Sequence, residues 1–157
     1  MKQLTTTLAI LAALAASVMA QTPSPTTNME ILRQKVTADK KLVVAQNLML
    51  TDAEGAAFWP VYDAYQSDLQ RINERMAAAI RAYADAYNKG PVPDATAKTL
   101  LDESLAIDDA EIKLKLAAAP KILAVLPAAK AARYIQIENK IRAVVRYELA
   151  ANIPLVP

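Results

Sequence analysis

The chain has 157 residues, of which 54% are hydrophobic and 22% charged, and its formal net charge is only +2. It contains no histidine and no cysteine, so the usual ligands of zinc, copper and haem and the thiol nucleophiles are missing. Two glycines are too few for the phosphate-binding loops of nucleotide-binding folds, and a near-neutral chain lacks the basic excess that nucleic acids attract. Composition therefore favours one alanine-rich helical domain that acts without a cofactor or a metal.

The first twenty residues differ from the rest of the chain. Lys2 is followed by an apolar run from Leu8 to Val18 and by small residues up to Ala20, with no acidic residue. This pattern is typical of a secretory signal peptide over residues 1–20. The alternative, a permanent membrane anchor, needs about 20 apolar residues, roughly twice the length of this run. Residues 21–28, which are polar and contain two prolines, are predicted to be a flexible linker.

Helical periodicity starts at Met29 and continues to Asn152, which predicts a helical domain over residues 29–152 and an extended tail over 153–157. The first helix is expected over residues 29–47, after a capping-box spacing at Thr27 and Glu30. A second capping box at Thr51 and Glu54 predicts that a new helix starts almost at once. The first two helices must therefore meet at a sharp turn.

The second helix is predicted over residues 52–88, and only Pro60 interrupts it. It would extend roughly 55 Å if continuous, so either the molecule is elongated or the helix bends at Pro60. Gly90 and Pro91 are expected to end it. Its apolar stripe alternates in steps of four and three residues and comprises Phe58, Tyr62, Tyr65, Leu69, Ile72, Met76, Ala79 and Tyr83.

Two more helices complete the prediction. The third, over residues 95–119, is expected to be capped by Asp94 and broken or kinked at Pro120. The fourth is expected to begin with Pro127 in its first turn and to run to Ala151. The apolar residues on one stripe of the third helix are Leu101, Leu105, Ile112 and Leu116, and those expected to face inward on the fourth are Tyr134, Ile137, Ile141, Val144, Val145 and Leu149.

Charge is unevenly divided between these last two helices. The third helix is acidic and the fourth is basic. Oxygen ligands suit calcium or magnesium, but on one helix only Asp108 and Glu111 share a face closely, so a solvated face or pairing with the fourth helix is the preferred interpretation. The acidic group comprises Asp102, Glu103, Asp108, Asp109 and Glu111.

Two groups of residues are candidates for a protein-binding surface. In the second helix Phe58, Trp59 and Tyr62 are either all core residues or leave Trp59 exposed on such a surface. In the fourth helix Glu138 and Arg142 have the spacing of an exposed ion pair, and docking of an acidic partner is the alternative. The candidate surface comprises Phe58, Trp59, Tyr62, Arg133, Glu138 and Arg142.

A weak internal repeat leads to a family resemblance. Leu50-Thr51-x-x-Glu54 is followed by Phe58, eight residues after its leucine, and Leu126-Pro127-x-x-Lys130 is followed in the same way by Tyr134. The first segment resembles the L-T-x-x-Q motif of the periplasmic Spy and CpxP proteins, with glutamate in place of glutamine. The second is a degenerate copy. The resemblance implies an elongated four-helix fold with antiparallel hairpins, which forms a homodimer in the periplasm.

The resemblance also implies a function. Members of the family include an ATP-independent chaperone and a modulator of an envelope stress sensor. We therefore expect an exported helical protein that binds unfolded or envelope proteins, as a chaperone or stress accessory, with no enzymatic activity and no stable membrane anchor. The alternative is a dedicated adaptor or sensor subunit for one envelope partner, without general chaperone activity.

Overall fold

A computed structural model of the protein describes residues 40–156. Four α-helices make up this range: α1 over its described residues 40–48, α2 (Asp52–Tyr87), α3 (Asp94–Leu123) and α4 (Ala128–Asn152). None of residues 40–156 lies in a β-strand, which confirms the predicted all-α class. The predicted signal peptide, linker and start of the first helix lie outside the described residues.

The start of α2 forms as its sequence predicts. Thr51 is the N-cap, and its side chain accepts a hydrogen bond from the backbone N–H of Glu54. The Glu54 carboxylate in turn accepts one from the Thr51 N–H at 2.8 Å, which completes the capping box. The helix ends at Tyr87, and the chain then turns at Gly90, whose φ of +129° favours glycine.

The helices continue through both internal prolines. Pro60 lies within α2 and Pro120 within α3, and the third helix ends at Leu123, four residues beyond its predicted end at residue 119. A proline removes the hydrogen bond to the carbonyl four residues earlier, here that of Ala56 or Leu116. Both of those residues are exposed, so water is able to solvate the freed carbonyls and the helices tolerate the loss.

The starts of α3 and α4 do not depend on polar side chains. The N-caps are Pro93 and Pro127, and neither provides a side-chain hydrogen bond. The expectation that Asp94 caps the third helix is therefore wrong, because Asp94 is already inside the first turn. There its negative charge complements the positive end of the helix dipole.

The order of contacts along the chain defines the directions of the helices. The pairs α1–α2, α2–α3 and α3–α4 are antiparallel, and α4 runs parallel to α2. The backbones approach most closely between α2 and α3. For α1 and α2 the contacts are Lys40–Gln66 and Lys41–Asp63. For α3 and α4 they are Lys115–Asn139 and Asp108–Arg146, and for α2 and α4 they are Gln66–Glu138 and Asn73–Arg142. Residues 88–93 connect α2 directly to α3, which packs back along it and contacts it through Arg75–Glu103.

The core is organised around the fully buried ring of Tyr134. This ring makes an edge-on contact with Phe58, with 5.1 Å between ring centroids, and it also contacts Tyr62 and Tyr65 of α2. Burial raises the pKa of the Tyr134 hydroxyl above its usual range, so the group stays protonated near neutral pH. The other buried apolar residues of this cluster are Val44, Leu48, Ala118, Ile122, Leu126 and Ala131.

The predicted apolar face of α3 points away from this core, and so does one residue of the predicted inward face of α4. The stripe of α3 is one continuous face, but its large side chains are exposed rather than packed inside. The buried residues of α3 are instead Ile107, Glu111, Ala118 and Ile122. On α4, Val144 was predicted to face inward and is 63% exposed. The exposed residues of the predicted stripe are Leu101, Leu105, Ile112 and Leu116, and the exposed Leu123 continues the same face.

We expect Tyr134→Ala to lower the free energy of unfolding by about 3–5 kcal/mol, because it empties the centre of the aromatic core. Tyr147→Ala is the matched control, since this tyrosine is on the same helix and 72% exposed, and its effect should stay within about 0.5 kcal/mol. Urea unfolding followed by circular dichroism measures both. Equal losses in the two variants would contradict the central role of Tyr134.

Candidate protein-binding surface

Most of the six candidate surface residues are not at the surface. Phe58 is fully buried, and Tyr62 and Glu138 are almost completely so. The Arg142 side chain is 12% exposed and is engaged inside the fold. These four assignments to a binding surface are therefore wrong, because the face that carries them packs against neighbouring helices. Arg133 is exposed and Trp59 is partly exposed.

Glu138 belongs to a buried polar network that joins three helices. Its carboxylate accepts hydrogen bonds from the Lys40 ammonium of α1 at 2.7 Å and from the Gln66 amide of α2 at 2.9 Å. Lys40 also donates to the Gln66 side-chain oxygen at 2.8 Å. Since Lys40 and Glu138 are both buried, each charge depends on the other for compensation.

Arg142 belongs to a second network, between α2, α3 and α4. It pairs with the buried carboxylate of Glu111 and donates to the Asn73 side-chain oxygen at 2.8 Å. Arg146 contacts the same Glu111 at 2.9 Å. Burial, with Arg146 nearby, lowers the pKa of Arg142 to about 10. The predicted exposed Glu138–Arg142 pair does not form, because each residue has its partners on other helices.

All five residues of the predicted acidic group of α3 are paired with cations. Glu103 contacts Arg75 of α2, and Asp108 and Glu111 contact Arg146 of α4. The remaining two pair within the helix, as Lys98–Asp102 and Asp109–Lys113. Of the two interpretations, a solvated face and pairing with the fourth helix, Asp108 and Glu111 follow the second. Among residues 40–156, no three potential ligand side chains are grouped so that they could hold a metal ion.

The two motif-like segments meet in space. Lys130, which stands at the position of the second motif's glutamine, donates to the Glu54 carboxylate at 2.6 Å. Glu54 occupies the matching position of the first motif. The aromatic residues that follow each motif, Phe58 and Tyr134, contact each other as well. Equivalent positions of the weak repeat are thus paired across α2 and α4.

Two basic residues of α4, Lys130 and Arg133, hold the end of α1. The last carbonyls of a helix lack partners within it. Lys130 donates to the carbonyl of Met49 at 3.0 Å, and Arg133 donates to that of Asn47 at 3.4 Å. Met49 has a φ of +46°, an uncommon left-handed conformation that lets the chain turn directly into α2. Two cations of α4 therefore fix the turn between α1 and α2.

An open pocket of about 350 Å³ lies at this turn, and we call it the corner groove. Trp59 forms one wall, with its indole beside Gly55 and the Lys41 ammonium 5.1 Å from the centre of its ring. Leu42 is exposed and is three residues before a lining residue of α1, which places both on the same side of that helix. The lining residues are Ala45, Leu50, Thr51, Asp52, Gly55, Ala56 and Trp59.

The buried charges have a partial signal in the sequence. Glu138 and Arg142 follow Tyr134 at intervals of four residues, so a helix that buries Tyr134 carries all three on one face. Their partners Lys40, Gln66 and Glu111 are distant in sequence, and no local pattern identifies them.

Comparison with known proteins does not identify a relative. A scan against protein-family models gives no match to the chain, and searches of curated proteins and of solved structures give no match either. No helix within residues 40–156 has the length and apolar character needed to cross a membrane.

We expect Glu138→Ala to lower the free energy of unfolding by about 3–5 kcal/mol, because it leaves the Lys40 charge buried without its carboxylate. The double variant Lys40→Met with Glu138→Leu replaces both charges by apolar groups and should unfold close to the wild type. Denaturant unfolding of the single and double variants measures the difference. A double variant no more stable than Glu138→Ala would contradict this account.

We also expect the turn between α1 and α2 to contribute less to stability in acid. The hydrogen bond from Lys130, followed by that from the Thr51 backbone, holds the pKa of Glu54 below its usual 4.5. The stabilisation by this carboxylate is therefore present above pH 4.5 and is lost as the pH falls through the lower, folded-state pKa. Thermal unfolding between pH 2 and 7 should show a smaller loss of stability in acid for Glu54→Gln than for the wild type.

The control for this experiment is Asp85→Asn, at an exposed acidic residue of the same helix. It should leave the acid-dependent loss of stability unchanged. If both variants alter the pH profile equally, the Glu54–Lys130 contact is not its cause.

Proposed function

We propose that the protein is an exported, helical protein-binding protein that works without ATP, as a chaperone or an accessory of envelope stress responses. The observation that carries this proposal is the corner groove. It is an open depression with an aromatic wall, built on two helix ends that Lys130 and Arg133 hold in place. Concave sites that combine apolar walls with polar groups are the usual binding sites of proteins.

The groove has the size and chemistry to take apolar side chains of another polypeptide. Ala45, Leu50 and Trp59 provide its apolar wall, and Asp52 and Thr51 lie at the start of α2. Because the groove is open, a bound segment would keep its backbone accessible to water. Contacts of this kind are individually weak, which suits transient holding of unfolded chains.

The family assignment belongs to the same proposal. We infer a member of the group that resembles Spy and CpxP because the two motif-like segments pair through Glu54–Lys130 and Phe58–Tyr134. An opposite-charge pair at the two glutamine positions retains a side-chain contact there. The same assignment implies a periplasmic location. The pattern of residues 1–20 supports that location as well.

A dedicated adaptor for one envelope partner is the second candidate. The small size of the groove favours it, since about 350 Å³ is near the lower limit for binding pockets. A general chaperone should protect several unrelated denatured proteins. An adaptor should protect none of them, yet bind one partner at a fixed stoichiometry.

We expect the purified protein to suppress aggregation of two unrelated, chemically denatured proteins at near-equal molar ratio, as followed by light scattering. Ala56→Glu should reduce this suppression several-fold, because it places a charge in the groove. Ala57→Glu is the matched control, since residue 57 is the next one in α2, is exposed and does not line the groove. It should retain wild-type suppression.

Trp59→Ala provides a second test, after circular dichroism has shown that the variant remains folded. Loss of suppression in this variant and in Ala56→Glu, but not in Ala57→Glu, supports the groove. Absence of suppression by the wild type would contradict the chaperone proposal. If Ala56→Glu and Ala57→Glu lost suppression equally, the groove would not be the site that binds the denatured proteins.

A further inference from the structure

Gly55 is a helical glycine that the packing of the fold does not require. It lies in the first turn of α2, and its N–H donates a helical hydrogen bond to the carbonyl of Thr51. A β-carbon at this position would be 3.5 Å from the Trp59 Nε1 atom, which is an ordinary van der Waals distance. Glycine is less favourable than alanine inside a helix. What its missing side chain provides is open space in the corner groove, beside the indole.

The Trp59 indole has a hydrogen-bond donor at this open space. Side chains of a helix tilt toward its N-terminus, so the indole lies back over Gly55, four residues earlier. No acceptor within residues 40–156 takes the Nε1–H of this indole. A carbonyl group that approached α2 at Gly55 would accept that hydrogen bond. Close approach of another backbone is one of the structural uses of glycine.

The corner groove also contains one charge without an ion-pair partner, and that charge is negative. Asp52 lines the groove, and no cation in the described part of the chain pairs with it. The Lys41 ammonium lies over the Trp59 ring, but it is paired with the Asp63 carboxylate at 2.9 Å. Those two charges compensate each other. Charge complementarity therefore favours a cation at Asp52.

We propose that the corner groove binds an extended polypeptide segment in which an apolar residue is next to a lysine or an arginine. A carbonyl of the segment accepts a hydrogen bond from the Trp59 indole, and its apolar side chain packs against Ala45 and Leu50. Its cation pairs with Asp52. This inference rests on the proposed function and names the class of polypeptide that the groove takes, which is basic and apolar rather than acidic.

The contacts fit one short stretch of extended chain. Residues three apart on a helix are neighbours, with β-carbons about 5–6 Å apart. Asp52 and Gly55 have this spacing, so the cation site is within about one helical turn of the carbonyl site. An extended chain advances about 3.3 Å per residue. The basic residue is therefore one or two positions from the residue whose carbonyl is bound, and the groove selects by charge rather than by exact sequence.

Trp59 is the only tryptophan of the chain, so its fluorescence reports binding in the groove. The probes are two short peptides of equal length and leucine content, one with lysines beside the leucines and the other with glutamates. We expect the lysine peptide to change the emission saturably, with a dissociation constant at least about tenfold lower than that of the glutamate peptide. The net charge of +2 would favour the opposite order. Equal affinities, or no binding of the lysine peptide, would overturn the proposal.

Asp52→Asn tests the cation site, because it removes the charge and keeps the shape of the side chain. It should abolish the preference for the lysine peptide, mainly by weakening the binding of that peptide. Asp85→Asn is the matched control, since it removes an exposed acidic residue near the other end of the same helix, and it should retain the preference. A preference that survives Asp52→Asn, or that both variants lose, would show that Asp52 is not the cation site.

Gly55→Ala separates binding from stability. Alanine fits at this position and favours the helix, so the variant should have a higher melting temperature than the wild type. Its methyl group lies against the indole Nε1 atom, so it should weaken the binding of both peptides several-fold. Unchanged affinity would overturn the backbone contact at Gly55. A lower melting temperature would show that the packing does require the glycine, and would overturn the same contact.

The aggregation measurements distinguish failure of this inference from failure of the proposed function. A protein that suppresses aggregation but binds the two peptides equally retains the chaperone function and loses the charge preference. A protein that binds the lysine peptide selectively but suppresses no aggregation retains the basic, apolar ligand of the groove and loses the chaperone function.

Discussion

The packing of Tyr134 against the aromatic face of α2 is the interaction on which the rest of the structure depends. Burying this ring fixes the rotation of α4 about its axis, and that rotation carries Glu138 and Arg142 into the interior, because they lie one and two turns further along the same face. Two buried charges require partners. Lys40 of α1 supplies one and Glu111 of α3 supplies the other, so the positions of both outer helices follow from the burial of one tyrosine.

This constraint also explains the unusual orientation of α3. A helix ordinarily turns its most apolar face to the core. Here Glu111 must face Arg142 and Arg146, and on a helix this direction is well over 90° from the face that carries Leu105 and Ile112. Meeting the charge of α4 therefore leaves the leucine-rich stripe in water. The free energy lost by that exposure is recoverable only if another surface covers the stripe.

The sequence predicts local structure such as helix caps and helix bounds. It does not predict which face of each helix is buried in the core. The capping box at Thr51 and Glu54 and the helix bounds follow from short-range hydrogen bonding and periodicity, which act over a few residues. The burial of Glu138 follows from contacts with residues as far away as Lys40, 98 positions earlier in the chain. The effect of Pro120 is not predictable locally for a related reason: the cost of a proline inside a helix depends on whether the freed carbonyl reaches water, which only the folded structure determines.

The corner between α1 and α2 combines the local and the long-range determinants. Thr51 and Glu54 start α2 by themselves, but the left-handed turn at Met49 is an uncommon conformation that the surrounding structure has to hold in place. Lys130 does this by binding the Met49 carbonyl and the Glu54 carboxylate at once. The corner groove is therefore fixed by α4, the same helix that Tyr134 places. The shape of a groove built on helix ends that are held in this way is set by contacts within the chain, and preorganisation of this kind lowers the cost of binding a partner.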